Sequence, residues 1–167
     1  SVGWGQPQAG RAGLHRFRAA LVGRLGRELT FEFGANDSSE LRELRETVIT
    51  AAASAGDTWT LDEIRRRFAP LQEHGDYSLI HPDLLRTVLS QAVKHGGEAE
   101  YETVMGVYRA PPTPAHKTSA MVALGTTQDA ALIQRTIEFV LSGQVKTLDF
   151  MYYIMSLTSN PRSRRAL

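Results

Sequence analysis

Two clusters of arginine are the first residues in this sequence with an obvious chemical use. Arg65-Arg66-Arg67, and Arg162 with Arg164 and Arg165, each gather guanidinium groups. Such groups hold phosphate or carboxylate through paired hydrogen bonds. On a helix, the first run reads as a solvated face with Ile64 and Phe68 turned inward. The second run decorates the end of the chain. Asn36-Asp37-Ser38 fits the glycosylation acceptor pattern. Tyr77, Tyr101, Tyr108, Tyr152 and Tyr153 either line a groove or sit in a core with their hydroxyls at its rim. The 5 histidines (His15, His74, His81, His95, His116) are not at metal-ligand spacing, and no H-E-x-x-H occurs. There is no G-x-S-x-G elbow, phosphate-cradling glycine loop or dinucleotide fingerprint. No catalytic, cofactor-binding or metal-ligating residue is therefore assigned.

The bulk properties agree with that restraint. The 167 residues suffice for one domain with a core, at 42% hydrophobic and 22% charged. A net charge of +1 gives no global attraction to nucleic acid or an acidic membrane. With 0 cysteines there is no disulfide or thiolate chemistry, which fits a reducing compartment and a cytoplasmic location. No apolar run approaches the roughly 18 residues of a membrane span.

The elements that must position these residues read as helices. Residues 1–12 form an opening loop rich in Gly, Gln and Pro. Leu14, Phe17, Leu21, Leu25 and Leu29 mark the first helical face. Asp37 with Glu40, and Thr60 with Glu63, are capping boxes for the next two helices. The second of these stops near Pro70, and residues 71–80 are a loop. At the centre lies a hairpin over 81–108: Pro82 opens one helix, Gly96 ends it in a left-handed conformation, and Glu98, Glu100 and Glu102 open its partner. Residues 110–114 are a proline-rich connection. A helix to Leu124 follows, then one capped by Asp129, then one from Thr147 with Leu148, Met151, Tyr152, Met155 and Ile154 packed. No stretch alternates as a strand should. The expected fold is all-α, a solenoid of stacked antiparallel HEAT- or armadillo-like hairpins with about eight helices and no sheet. The alternative is an irregular bundle.

Several blocks, in order, resemble one family. These are Gly3-Trp4, LRETVITAAASAGD at 44–57, RRFAPL at 66–71, the hairpin from Ile80 to Tyr108, ALGTTQDAALIQRTIEFVLSGQVKTLDF at 123–150, and SNPRSRRAL at 159–167. Each alone is helix grammar. Together they resemble the C-terminal helical domain of zinc metalloaminopeptidases of the puromycin-sensitive and endoplasmic-reticulum type, in a fungal flavour. Ser163 stands where that family commonly has Gly.

The resemblance implies a single helical-repeat domain, 1–167, that is a fragment of a longer one, since the family continues past Leu167 with further helices. It implies an accessory role. The domain walls a substrate chamber over a separate zinc-bearing catalytic domain, whose H-E-x-x-H and G-x-M-E-N motifs lie upstream and do not occur here. The chain alone is then expected to bind no zinc and hydrolyse no peptide, while its parent removes amino-terminal residues. Partners would be peptide, the catalytic domain and, if the last helix exposes Leu148, Met151, Tyr152 or Met155, a second copy. The other reading is a free-standing helical scaffold for peptide or protein binding.

Overall fold

A computed structural model describes residues 8–163, and among these there are helices and no strands. The helices are α1 (Gln8–Leu29), α2 (Ser39–Ser54), α3 (Thr58–His74), α4 (Leu85–His95), α5 (Glu98–Arg109), α6 (Pro114–Leu124), α7 (Ala130–Leu141) and α8 (Thr147–Ser159). A single 3-10 turn, Pro82–Leu84, precedes α4. The chain divides into two compact units, Ser1–Glu63 and Ile64–Leu167.

In the first unit α1 begins at Gln8, so the opening loop expected over 1–12 is helical from residue 8, and residues 1–7 lie outside the described residues. Gly10 and Gly13 each cost about 1 kcal/mol relative to Ala, and the good helix formers around them outweigh that. Pairing of α1 with α2 does not use the Leu/Phe stripe. Leu14, Phe17, Leu21 and Leu25 are 51%, 66%, 48% and 39% exposed. The helix meets its neighbours through glycine instead: a Cβ on Gly26 would lie 3.7 Å from the Thr60 hydroxyl and 3.8 Å from Ala52 Cβ. Thr30, at φ 56°, ends the helix in the left-handed region, a strained place for a β-branched residue.

The expected capping boxes are replaced by neighbours. Ser38 caps α2, its hydroxyl accepting from the Leu41 N–H. Asp37 is engaged elsewhere, accepting from the Gly34 N–H at 2.8 Å and from the Arg45 guanidinium. That guanidinium is buried, donates to the Leu29 carbonyl at 3.0 Å and lies 4.7 Å from the Phe33 ring centroid. It ties the α1–α2 connection together. The start of α3 is capped by Asp57, whose carboxylate accepts from the Thr60 N–H and hydroxyl.

In the second unit α3 runs through Pro70 to His74, so residues 71–74 are helix where a loop was expected. Ile64, Phe68 and Leu71 are buried along this stretch, and that packing opposes the break that Pro70 invites. The central hairpin forms as read, with one correction. Gly96 has φ −90°, not a left-handed value; glycine is needed because a Cβ would come within 2.5 Å of the Ala92 carbonyl and the Glu100 side chain. Glu100 caps α5 by accepting from the Gly97 N–H at 2.8 Å. The proline-rich connection is one residue shorter than expected. Thr113 is the N-cap of α6 and Pro114 occupies its first turn.

Packing in this unit alternates as in a stack of helical hairpins. One layer is α4, α6 and α8, with α6 against both others, while α5 packs on α4 and α6. A buried hydrogen bond of 2.7 Å joins Tyr101 of α5 to Thr136 of α7, and Ile133 and Ile137 of α7 cluster with Leu157 of α8. Tyr108, Phe139 and Tyr153 meet edge to face with centroids 5.7–6.0 Å apart. The all-α hairpin fold predicted from periodicity is the fold observed.

Candidate functional site

A cleft with unspent polar groups lies on the α4–α6–α8 layer, and the C-terminal end of α8 sets it up. Along α8 the packed positions are Tyr153, Ser156, Leu157 and then Asn160, spaced i, i+3, i+4 and i+7. Two of the four are polar, and each finds a partner. The Ser156 hydroxyl donates to the Val122 carbonyl at 2.6 Å. The Asn160 amide donates to the carbonyls of Gly125 at 3.0 Å and Thr127 at 2.8 Å, while its oxygen accepts from the Gln128 amide and the Arg162 N–H. Gly125 is required here, because a Cβ would strike the Ser156 side chain. Ser163 is buried, its hydroxyl directed to the Asn160 carbonyl. Blocks from 123–128 and 159–163, both part of the resemblance, thus form one polar lock.

The lock fixes the rotation of α8 and turns the adjoining stripe outward. Met151, Tyr152 and Met155 are 59%, 42% and 64% exposed, which corrects their assignment to the packed face. Ile154 is half-buried, and the Leu148 side chain lies outside the described residues. The error has a physical origin. Hydropathy favours Met and Tyr for the core over Ser and Asn, but satisfied hydrogen bonds make the polar pair the inward one. Tyr152, Met155, Ser156 and Ser159 then border a cleft of about 290 Å³ with Val122 of α6 and Arg86 of α4. Among the described residues neither Arg86 nor the Tyr152 hydroxyl makes a hydrogen bond or ion pair. The Ser159 hydroxyl is occupied by the Ser156 carbonyl at 2.8 Å.

A second cleft, about 380 Å³, runs between the end of α3 and α5, lined by Leu71, Gln72, Tyr77, Thr103, Gly106 and Pro112 among others. Its Tyr77 ring stands edge-on to His116, whose Nδ1 is 2.7 Å from the Thr113 hydroxyl. Desolvation lowers the pKa of His116 below the ordinary histidine value.

The structure separates the residues that the sequence brought forward. Arg65 and Arg66 are exposed, but Arg67 is buried and donates to the Leu79 carbonyl at 3.0 Å, so the run is not one solvated face. Arg162 donates to the Gln128 carbonyl, and Arg164 and Arg165 lie outside the described residues. Asn36 is exposed. Tyr101, Tyr108 and Tyr153 are core, and burial pushes each phenol above its ordinary pKa. Only Tyr152 of the five borders the α8 cleft. Arg86 was not singled out by sequence, because an arginine off the apolar stripe of a helix is ordinary.

Among the described residues no three of His, Asp and Glu converge to hold a metal ion, and the residues present do not fit a zinc site. No described helix is long and apolar enough to cross a membrane. What the α8 cleft offers is recognition: apolar walls, one guanidinium and one phenol.

Comparison with known proteins gives this surface its context. The model of the ERAP1-like C-terminal domain matches residues 2–167, and the chain belongs to that family. It is 30% identical over 138 residues to the alanine/arginine aminopeptidase of Saccharomyces cerevisiae, covering 82% of this chain and 16% of that protein. It is 23% identical over 150 residues to aminopeptidase 2 of Candida albicans, covering 90% and 16%. Aminopeptidase M1 of Arabidopsis thaliana is 30% identical over 112 residues, covering 65% and 13%. The chain thus spans 16% of the length of the two fungal relatives. It is a C-terminal domain of aminopeptidase-like proteins.

Proposed function

We propose that this chain is the accessory part of a zinc-dependent aminopeptidase that removes amino-terminal residues from peptides. In this reading it walls the substrate chamber and is not itself catalytic. Its partners are the parent's catalytic domain and the peptide, and its location is cytoplasmic. It forms one part of a longer helical-repeat domain. The observation that carries the reading is the family match across residues 2–167, with relatives named as aminopeptidases. An H-E-x-x-H motif does not occur in the chain, which supports a reading in which the zinc ligands come from another part of the parent.

The test is to purify the 167-residue chain and measure bound zinc and hydrolysis of leucine amide. No stoichiometric zinc and no turnover are expected; zinc with turnover would overturn the non-catalytic role. Reading the gene upstream of Ser1 tests the rest: a G-x-M-E-N segment followed by an H-E-x-x-H helix is expected. A start codon directly before Ser1 would leave a stand-alone helical module.

The exposed Met151, Tyr152 and Met155 also support weak self-association of the isolated chain. Sedimentation at rising concentration should show a growing average mass, and a constant monomer mass would remove the idea.

A further inference from the structure

We propose that the outward face of α1 docks onto an anionic phospholipid surface. This role is separate from peptide handling and does not depend on it. Leu14, Phe17, Leu21 and Leu25 lie at i, i+3, i+7 and i+11, in one row along the helix. At 1.5 Å per residue the row is about 16 Å long. All four are exposed, Phe17 the most at 66%. A contiguous exposed apolar patch of this kind marks a contact surface. Every residue from Ala12 to Arg18 is exposed, whichever way round the helix it lies. This part of α1 therefore stands clear of its unit as a projecting ridge and not as a groove. Two turns of helix without a neighbour are marginal in water, so a surface that covers the ridge also steadies it.

The charge around the ridge says what that surface is. The net charge of +1 hides a local imbalance: from Gln8 to Arg27 the chain carries Arg11, Arg16, Arg18, Arg24 and Arg27 and no Asp or Glu. Arg24 pairs with Glu28, and Arg27 with Asp57. Arg16 and Arg18 have no partner among the described residues. A helix turns about 100° per residue, so these two leave on opposite flanks of Phe17. A helix with Phe and Leu on one face and arginines on its flanks lies in the headgroup layer. Its apolar side chains reach the acyl boundary, while the long arginine stems carry their guanidinium groups to the phosphates. Guanidinium holds phosphate oxygens in pairs. A protein partner would need a seam shaped to the ridge and acidic groups on both sides of it, whereas a fluid anionic surface meets a projecting ridge and both of its flanks at once.

Co-sedimentation of the 167-residue chain with lipid vesicles tests this. One set of vesicles is phosphatidylcholine alone, and the other contains about 30% phosphatidylserine. The chain should bind the second set about tenfold more strongly than the first, and added salt should weaken the preference. Replacing both Arg16→Gln and Arg18→Gln should remove most of it, since each arginine beside an anionic surface is worth about fivefold. Phe17→Ser should weaken binding to the anionic vesicles without touching any charge. All these positions are exposed, so the variants should melt with the wild-type chain by circular dichroism. Equal binding to both sets, or a preference that survives the paired arginine changes, overturns the proposal. An average mass that rises with concentration in the absence of vesicles, and no longer does so in Phe17→Ser, gives the ridge to a second copy and overturns it as well.

Discussion

Helices α1 and α6 are both rich in small residues, yet they pack in opposite ways. α1 carries a five-residue Leu/Phe stripe and leaves most of it exposed, approaching its neighbours through Gly23 and Gly26. α6 carries no such stripe, yet Ala120, Met121, Ala123 and Leu124 are all buried, with α4, α5 and α8 around it. The difference teaches that an apolar stripe states a need for cover, while burial depends on how many neighbours reach the helix. Small residues let backbones come close, and close backbones bury whatever lies between them.

The sharpest break of this comparison is a matched pair of truncations. Leu89→Ala, at a fully buried site in α4, should cost about 2–5 kcal/mol, while Leu21→Ala in α1 should cost under about 1 kcal/mol. Chemical denaturation of each variant measures both. Equal losses would mean that the α1 stripe is covered in solution.

Next in size is the lock that holds α8. Asn160→Ala removes the donors to the Gly125 and Thr127 carbonyls and should destabilise the chain by about 1–3 kcal/mol. It should also loosen α8, and chemical denaturation of the variant would read the loss.

Glycine substitutions sharpen the contrast in sign. Nothing lies within 4 Å of a Cβ built on Gly13, so Gly13→Ala should stabilise by up to about 1 kcal/mol. Gly125→Ala should do the reverse, since its Cβ meets Ser156. Melting temperatures that move in the same direction would contradict the packing described.

The smallest effect is electrostatic. The Arg45 hydrogen bond, with the Gly34 N–H, holds the Asp37 carboxyl below the usual carboxylate range. A depressed folded-state pKa means stability that is present above the unfolded value of 3.8 and lost as pH falls through the folded one. Thermal stability should therefore drop at acid pH, and Asp37→Asn should flatten that part of the profile. An unchanged profile would remove the role given to Asp37.

The fold was legible where chemistry is local. Asp129 caps α7 by accepting from the Ala131 and Leu132 N–H groups, as its place before an apolar run suggests. Gly125 ends α6 as its place after the helix suggests, whereas Pro114, expected in the connection, opens it. The capping boxes at Asp37 and Thr60 were misplaced because Arg45, two turns into α2, engages Asp37, and Asp57, three residues before Thr60, caps α3 in its place. The candidate site was barely legible. Tyr152 was noticed only as one tyrosine among five, and Arg86 looked like any solvated cation.

By itself, the sequence determined that this is an all-helical chain of hairpins, where most of its helices begin and end, and which family it resembles. Those follow from backbone conformations and hydrogen bonds spanning a few residues, which each segment carries with it. Tertiary structure alone decided which face of α8 turns inward, because Ser156 and Asn160 find carbonyls at Val122, Gly125 and Thr127. Those partners are 33–35 residues away in the chain. A buried polar group is favourable only once its partner is in place, and no local pattern supplies that partner.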